Sequence, residues 1–368
     1  MIPIFEPKIS VKAKINVNKA LKDNWISSQG NFINQFEKKL AKFHNRKFAL
    51  VTSSCTTALH LSLLSLNLKK GDEVICPALT FIAPANMVLL SNLKLKLIDI
   101  DPTTLTIDVS KLKKIVSKKT KALIVVHQFG HAAHMKEIID LCKKYNVKII
   151  EDNAESIGGY YKNKILGSMG DVSTLSFYGN KIITTGEGGA LLTNSEKVYQ
   201  KCKILRDHGM STNKRYYHIM QGFNYRMTNL QAAIGCSQID EIKKILKKRL
   251  NQQVYYYKKL QKIKEIKTRE FAKWCQPVHW LTTITLNKKN ARDRLIKFLN
   301  KRGIDARQMV NPVSDALYLK KKFNKKNFPV SYEISRNSVH LPSSITLNKK
   351  QIDFICDEIN FFFIKKKV

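Results

Sequence analysis

One lysine, Lys181, lies in a polar, glycine-rich stretch at residues 176–189, between two apolar stretches. A lysine in such a setting is typical of Schiff-base chemistry, in which the amine condenses with the aldehyde of a cofactor. The amine must be deprotonated part of the time, and partial burial beside other cations would lower its pKa toward neutrality. The glycines permit close approach of the backbone to a bound ring or phosphate. The pattern therefore predicts that Lys181 is a nucleophile.

Two further segments could bind a cofactor that carries a phosphate and an aromatic ring. Residues 53–59 follow a predicted strand and open a predicted helix, so their N–H groups and hydroxyls could hold a phosphate at the positive helix end. A plain serine or threonine N-cap is the alternative for this segment. Phe81, which follows the next predicted strand, could lie flat against a ring, or it could be a core residue.

A carboxylate, Asp152, ends another predicted strand. There it could form an ion pair with a protonated pyridine nitrogen, which keeps a pyridine cofactor able to accept electrons. A cap for the following helix is the alternative role for this residue. Considered together with Lys181, the carboxylate favours a cofactor site.

The elements that must position these residues are visible in the apolar pattern between about residues 45 and 240. The strand candidates are residues 48–51, 73–76, 96–100, 122–126 and 148–151. Helical periodicity fills the intervals, most clearly at residues 57–66 and 135–145. This alternation predicts an α/β fold with a mostly parallel central sheet flanked by helices. Ligands of such sheets bind at the C-terminal strand ends, where the candidate residues lie.

The pattern changes after about residue 245. The predicted elements there are a lysine-rich helix at 242–263, a strand at 280–286, a helix at 291–302 and a closing helix at 350–361. We therefore predict a large α/β domain at residues 1–245 and a smaller α+β domain at residues 246–368. The lysine tail at residues 365–367 is expected to be frayed.

The composition limits the class of protein. A chain of 368 residues with 43% hydrophobic content can bury a large core. No run reaches the roughly 18 apolar residues that a membrane span needs, and the first residues are not a secretory signal, so we expect a cytoplasmic protein. The seven cysteines are scattered without a CxxC pair, which indicates free thiols and no zinc or other metal site.

The net charge of +37 comes from 65 Lys and Arg against 28 Asp and Glu. Such an excess can indicate nucleic acid or an anionic membrane as a partner. Here the excess is mostly lysine and is spread along the chain, without a basic arm or a helix-turn-helix-sized module. We therefore do not expect nucleic-acid binding. A compositional bias or an anionic small substrate would account for the charge.

Motifs along nearly the whole chain carry a resemblance to a known family. They include GFNYRMTNLQAA at residues 222–233 and GNKIITTGEGG at 179–189, with residues 25–30, 71–75, 99–102, 151–152 and 341–344. The set resembles the DegT/DnrJ/EryC1/StrS sugar aminotransferases, which are fold-type I enzymes dependent on pyridoxal 5'-phosphate. The resemblance implies a homodimer with its active sites at the subunit interface.

The resemblance also implies roles for single residues. Lys181 would form the Schiff base and later move protons, while Asp152 would pair with the pyridine nitrogen. Phe81 would stack on the ring. Glu155 would lie near the 3-hydroxyl of the cofactor, at a position where relatives often carry Gln or His.

For the cofactor phosphate, the resemblance implies binding by the backbone of Cys55 and Thr56 and by the Ser176 hydroxyl. Asn224 would reach the same phosphate from the partner subunit. Cys55 departs from the glycine that many relatives carry, which matters little if only its N–H is used.

The implied reaction moves an amino group from L-glutamate, through pyridoxamine phosphate, to the C4 ketone of a nucleotide-linked 4-keto-6-deoxy sugar. The strings at residues 126–131, 179–189, 208–211 and 222–229 are most similar to members that act on GDP-4-keto-6-deoxy-D-mannose, which points to lipopolysaccharide O-antigen biosynthesis. Sugars linked to dTDP or UDP, amination at C3, and a non-catalytic binder of anions on the same fold are the alternatives. The related 3-dehydratase is disfavoured, because it carries histidine at the position of Lys181.

The contacts to the sugar nucleotide are less specific. The candidate residues, each of which could instead have a packing or surface role, are His127, His208, Arg226, His279 and Trp280. No arginine that would bind the carboxylates of the amino donor can be identified from the sequence. The donor is therefore implied by the resemblance alone.

Overall fold

The structure is a computed structural model that describes residues 1–288 and 290–364. The predicted lysine tail at residues 365–367 lies outside these ranges. Within them, no helix is both long and apolar enough to cross a membrane.

The α-helices of the described residues occur along the whole chain. They are α1 (Val11–Lys22), α2 (Asn31–Phe43), α3 (Cys55–Ser65), α4 (Ala83–Leu90), α5 (Val109–Ile115), α6 (Met135–Tyr145), α7 (Glu196–Arg206), α8 (Asn229–Asp240), α9 (Ile242–Leu260), α10 (Arg292–Lys301), α11 (Pro329–Asn337) and α12 (Lys349–Ile364).

The strands of the described residues form one large sheet and two small ones. They are β1 (Phe48–Thr52), β2 (Glu73–Pro77), β3 (Lys94–Ile98), β4 (Thr120–Val126), β5 (Lys148–Asp152), β6 (Tyr160–Tyr161), β7 (Lys164–Ile165), β8 (Val172–Ser176), β9 (Gly189–Thr193), β10 (Ile266–Thr268), β11 (Cys275–Gln276), β12 (Thr282–Leu286), β13 (Arg307–Gln308) and β14 (Ser338–Leu341).

The large sheet has seven strands in the order β1-β9-β8-β5-β4-β2-β3. The neighbours from β8 to β3 are parallel, whereas β9 runs antiparallel to both β8 and β1. Helices cover the sheet, and its strands are almost wholly buried, as expected for a parallel sheet with two covered faces. The predicted α/β fold with a mostly parallel central sheet is confirmed.

The predicted strands occur in this sheet, with one clear shift. The strand predicted at 96–100 is β3 (Lys94–Ile98), and its first residue pairs with Glu73 of β2. Asp99 lies beyond the strand, and its carboxylate contacts helices α5 and α11. It accepts hydrogen bonds from the Ser331 N–H at 2.9 Å and from the Lys111 amine at 2.9 Å.

The C-terminal part contains the antiparallel sheet β10-β12-β14-β13, packed against α9, α10 and α12. The predicted strand at 280–286 is shorter and begins at Thr282. Trp280 lies before it and donates its indole N–H to the Asn180 carbonyl at 2.7 Å. Helix α9 runs through the predicted boundary between residues 245 and 246. Val278, Trp280 and Met309 also pack into the same apolar cluster as the large sheet. The division into two domains at this point stays a prediction.

Three elements bring the candidate residues to one end of the sheet. Strand β5 ends at Asp152, and α3 begins at Cys55, directly after β1. The loop from β8 to β9 carries Lys181. The base of that loop is fixed by Phe177, which is fully buried and whose ring centroid lies 5.1 Å from that of Phe36 on α2.

Gly235 lets α8 approach this aromatic pair. A Cβ atom at Gly235 would lie 2.5 Å from Cε1 of Phe36, which is closer than two carbon atoms can pack. The absence of a side chain at this position therefore sets the distance between α8 and α2. Phe36 in turn supports the lysine loop.

We expect the substitution Gly235→Ala to lower the free energy of unfolding by about 1–3 kcal/mol, because overpacking at Phe36 outweighs the gain of about 1 kcal/mol in helix propensity. Denaturant unfolding checks this value. In the double variant Gly235→Ala with Phe36→Leu, the smaller side chain should recover part of the loss relative to the sum of the single variants. Strict additivity would contradict the contact.

Candidate functional site

A cavity of about 560 Å³ opens at the C-terminal ends of β4, β5 and β8. Its wall includes Asp152, Ser176 and Lys181 from the large sheet and its loops, together with residues of the C-terminal part. The structure thus brings residues that are distant in sequence to one concave site. Within the described ranges, no group of three or more His, Cys, Asp or Glu side chains is arranged to hold a metal ion.

Lys181 lies on the wall of this cavity, and its side chain is 13% exposed. Its Nζ atom is 3.8 Å from the centroid of the Trp280 ring and 3.9 Å from Oε1 of Glu155. Burial lowers the pKa of Lys181, while Glu155, Cys55 and Asp152 oppose this shift. The sequence predicted cations as neighbours. The structure instead places carboxylates there, so burial alone favours the neutral amine.

Asp152 is a buried carboxylate that is only partly satisfied. Its Oδ1 atom accepts the Ala154 N–H at 3.0 Å and lies 4.0 Å from Sγ of Cys55. Among the residues that the structure describes, none donates a hydrogen bond to Oδ2. Burial raises the pKa of Asp152, against the Ala154 N–H and the charge of Lys181. A cationic group placed at Oδ2 would offset the cost of burying this charge.

The neighbouring carboxylate, Glu151, has the opposite surroundings. It is fully buried, and it accepts hydrogen bonds from Nε2 of His127 at 3.1 Å and from the N–H groups of Gly167 and Met169 at 2.9 and 2.6 Å. Burial raises the pKa of Glu151, but the hydrogen bond of His127 and the charge of Arg46 outweigh it and lower the pKa to about 2. Glu151 is thus a structural carboxylate. Asp152 differs, because its Oδ2 atom accepts no hydrogen bond from a described residue and could accept one from a ligand.

The start of α3 supplies donors for an anion. Ser54 caps the helix by accepting the Thr57 N–H at 3.2 Å. The first N–H groups of a helix have no acceptor within it, so those of Cys55 and Thr56 remain available at the positive helix end. Cys55, Thr56 and Ser176 all line the cavity. Both roles considered for this segment, helix cap and anion cradle, are compatible in the structure.

Glu155 links the lysine to the cavity wall. Its Oε2 atom accepts the Phe129 N–H at 2.6 Å, while Oε1 faces Lys181. Burial raises the pKa of Glu155, and the charge of Lys181 opposes the shift. Phe81 lies at the mouth of the same cavity with 61% of its surface exposed, so its ring can meet a ligand.

Of the five substrate contacts suggested by the sequence, Trp280 lines the cavity. His127 does not line it. It is fully buried, and its two ring nitrogens are used by Glu151 and by the Ala133 N–H. His279 does not line it either. Its ring packs edge-on against Phe271 at 5.4 Å, and burial lowers its pKa to about 4.

His208, Arg226 and Asn224 lie together outside the cavity of their own chain. Arg226 donates from Nε to Oδ1 of Asn224 at 3.0 Å, and its Nη2 atom lies 3.2 Å from Nε2 of His208. Its Nη1 atom forms an ion pair with Asp207 at 2.8 Å. His208 and Asn224 are exposed and Arg226 is half-buried, so the group can be presented to another molecule.

The cavity wall also contains residues that the sequence did not suggest, and three of them carry polar groups that could contact a ligand. They are Tyr178, Arg307 and His340. Arg307 and His340 are paired in register across β13 and β14, which places them side by side. Strand β13 has only two residues, so no periodic pattern could have identified it.

The chain matches the DegT/DnrJ/EryC1/StrS aminotransferase family over residues 7–360. It is 35% identical over 365 residues to a GDP-perosamine synthase of Escherichia coli O157:H7, with 99% of each chain covered. It is 39% identical over 315 residues to the GDP-perosamine synthase of Caulobacter vibrioides, with 85% of each chain covered. Among solved structures, Helicobacter pylori PseC, an aminotransferase involved in the biosynthesis of pseudoaminic acid, has a TM-score of 0.94 at 27% identity, with 99% of both chains covered.

These similarities cover the large sheet, the lysine loop and the C-terminal part together. They confirm the resemblance that the motifs suggested, and they agree with a cavity that holds a buried amine, a buried carboxylate and a helix N-terminus. The chain belongs to the DegT/DnrJ/EryC1/StrS aminotransferase family.

Proposed function

We propose that the protein transfers the amino group of L-glutamate to C4 of GDP-4-keto-6-deoxy-D-mannose, and the product would be GDP-perosamine, for which its relatives are named. The observation that carries this proposal is one cavity that contains the Lys181 amine, a free oxygen of Asp152 and the N-terminus of α3. The near-complete coverage of the perosamine synthases favours a GDP-linked sugar. The cofactor is pyridoxal phosphate.

The residues present fit this cofactor. The phosphate would be held by the N–H groups of Cys55 and Thr56 and by the hydroxyl of Ser176. Oδ2 of Asp152, which accepts no hydrogen bond from a described residue, would receive the protonated ring nitrogen. Phe81 would cover the ring from the mouth. When bound, pyridoxal phosphate supplies an aldehyde and an electron-accepting ring.

The side chains of the site divide the work of amino transfer. Lys181 would hold and move a proton at Nζ, and burial, which lowers the pKa of this amine, favours the neutral form that this role needs. The Trp280 ring covers Nζ at 3.8 Å and so excludes water from one side of the amine. Asp152 would stabilise positive charge on the ring nitrogen of the bound cofactor.

We further propose a homodimer in which His208, Arg226 and Asn224 of one subunit complete the site of the other. Support comes from their position outside their own cavity, where His208 and Asn224 are exposed and Arg226 is half-buried. Large apolar side chains that are at least half exposed also favour a covering partner. Those side chains include Trp25, Ile26, Tyr216, Tyr217 and Ile219.

Two further properties are proposed on independent grounds. All seven cysteines are free, which fits a reducing compartment and favours the cytoplasm. The antiparallel sheet β10-β12-β14-β13, with its own apolar cluster, supports a C-terminal domain that begins near residue 246.

We expect Lys181→Ala to lose turnover by at least about 10²- to 10⁴-fold, because the group that moves the proton is removed. The assay follows the formation of 2-oxoglutarate from L-glutamate in the presence of GDP-4-keto-6-deoxy-D-mannose, with dTDP- and UDP-linked 4-keto sugars and a 3-keto sugar as a panel. Lys162→Ala, at an exposed turn, is the matched control and should keep full activity. An active Lys181→Ala variant would contradict the assignment.

The pH dependence of cofactor capture should reflect Glu155. Because Glu155 raises the pKa of Lys181, the variant Glu155→Gln should lower that pKa, and the pH midpoint for capture should move down by about one unit. The rate at which visible absorbance of bound cofactor appears, measured across pH, gives the midpoint. Glu187→Gln, a carboxylate of the same cavity, is the control. An unchanged or higher midpoint in Glu155→Gln would be inconsistent with the geometry.

Subunit mixing tests the role of Asn224. Asn224→Asp places negative charge next to the cofactor phosphate, so both this variant and Lys181→Ala should be nearly inactive as pure dimers. Random mixing should restore about a quarter of wild-type activity, because half of the dimers are mixed and each has one intact site. If Asn224 served its own chain, mixing would restore nothing.

A further inference from the structure

Arg307 is a cation on the wall of the active-site cavity. The proton transfer proposed for Lys181 does not involve it. It lies on β13, and its register partner on β14 is His340, which lines the same cavity. The two side chains therefore lie side by side on one part of the cavity wall. Tyr178, three residues before Lys181, lines the same cavity.

The cavity needs a permanent positive charge. The carboxylates on its wall are Asp152, Glu155 and Glu187. Among the described residues, its lysine and arginine side chains are Lys181 and Arg307. Lys181 must be neutral for part of the reaction. His340 is neutral near pH 7, since burial lowers its pKa to about 4. Arg307 is thus the group that can hold an anion throughout the reaction.

Asp305 orients the guanidinium group of Arg307 but leaves part of its hydrogen-bonding capacity available. Asp305 accepts hydrogen bonds from Nε at 3.1 Å and from Nη2 at 2.9 Å, and it is itself held by the Ile4 N–H at 3.1 Å. Within residues 1–288 and 290–364, Nη1 has no hydrogen-bond acceptor. The hydrogen bond that Arg307 donates to Asp305 raises the pKa of Arg307, so the charge persists at all working pH values. The side chain is 62% exposed, which leaves its free edge accessible.

Beside it, His340 has one ring nitrogen engaged. Its Nδ1 atom lies 2.9 Å from the Thr283 hydroxyl, and Nε2 has no partner among the described residues. Nε2 is thus a neutral hydrogen-bonding group next to the guanidinium. A fork of two donors from arginine, flanked by a neutral imidazole, is suited to the two oxygens of a carboxylate or of a phosphate.

We propose that the free edge of Arg307, with Nε2 of His340, binds an oxyanion of the substrates. This inference rests on the proposed function, which supplies two oxyanions in turn: a carboxylate of the amino donor and a phosphate of the sugar nucleotide. Both need the same chemistry at this point. The two half-reactions distinguish these oxyanions, because the carboxylate takes part in the first and the phosphate in the second.

The test measures each half-reaction alone with the loaded enzyme. In the first, L-glutamate converts the cofactor from its aldehyde to its amine form, and the loss of visible absorbance is followed. In the second, enzyme in the amine form is mixed with GDP-4-keto-6-deoxy-D-mannose, and the absorbance returns. The variants are Arg307→Gln and Arg307→Lys. Arg294→Gln, an exposed arginine of α10 outside the cavity, is the matched control.

We expect Arg307→Gln to raise the concentration of one substrate needed for half-maximal rate by about 10- to 100-fold, with the maximal rate changed much less. Arg307→Lys should recover part of this loss, because it keeps the charge but not the fork. A loss confined to the glutamate half assigns the carboxylate, and a loss confined to the sugar-nucleotide half assigns the phosphate. Arg307→Gln that behaves like Arg294→Gln in both halves would overturn the inference.

Failure of the proposed function gives a different result. In that case neither glutamate nor any sugar nucleotide of the panel would convert the cofactor between its two forms, in the wild-type enzyme or in the variants at position 307. Loss of bound cofactor in Arg307→Gln, visible before substrate is added, would also overturn the inference, because it would place Arg307 in cofactor retention rather than in substrate binding.

Discussion

Burial of the Lys181 amine is the constraint on which the site depends. A lysine in water stays protonated and cannot act as a nucleophile. Here the Trp280 ring lies 3.8 Å from Nζ, and desolvation lowers the pKa although Glu155 and Asp152 act against it. The loop can hold the amine in this environment because Phe177 at its base is locked into the core against Phe36.

The adjacent carboxylates Glu151 and Asp152 show how one strand end serves both fold and function. Side chains alternate along a strand, so Glu151 points into the protein and Asp152 toward the cavity. Glu151 is saturated by His127 and by backbone donors and joins β5 to the loop before β8. Asp152 has an oxygen without a hydrogen-bond donor among the described residues. A buried carboxylate with a free oxygen is costly unless a cation meets it, which is why it marks a ligand site.

The sequence predicted what depends on local pattern and on motifs. Strands β1, β2, β4 and β5 and helix α6 follow from apolar periodicity. Lys181 was a candidate because of its glycine-rich loop and Asp152 because it ends a strand, and both line the cavity. The side chains that depend on long-range packing were not predictable. His127 was suggested as a substrate contact, but Glu151 and Ala133 use both of its nitrogens. Arg307 was missed because a strand of two residues, paired with a partner more than thirty residues later, leaves no periodic signal.

We expect the Nζ atom of Lys181 to bond covalently to the cofactor, and the proposed function depends on this bond. Reduction of the loaded enzyme with borohydride fixes this bond, and mass spectrometry of the digested protein locates it. We expect the cofactor mass on the peptide that contains Lys181 and on no other lysine peptide. Label on a different lysine, or its absence from a protein that retains the cofactor, would contradict the account.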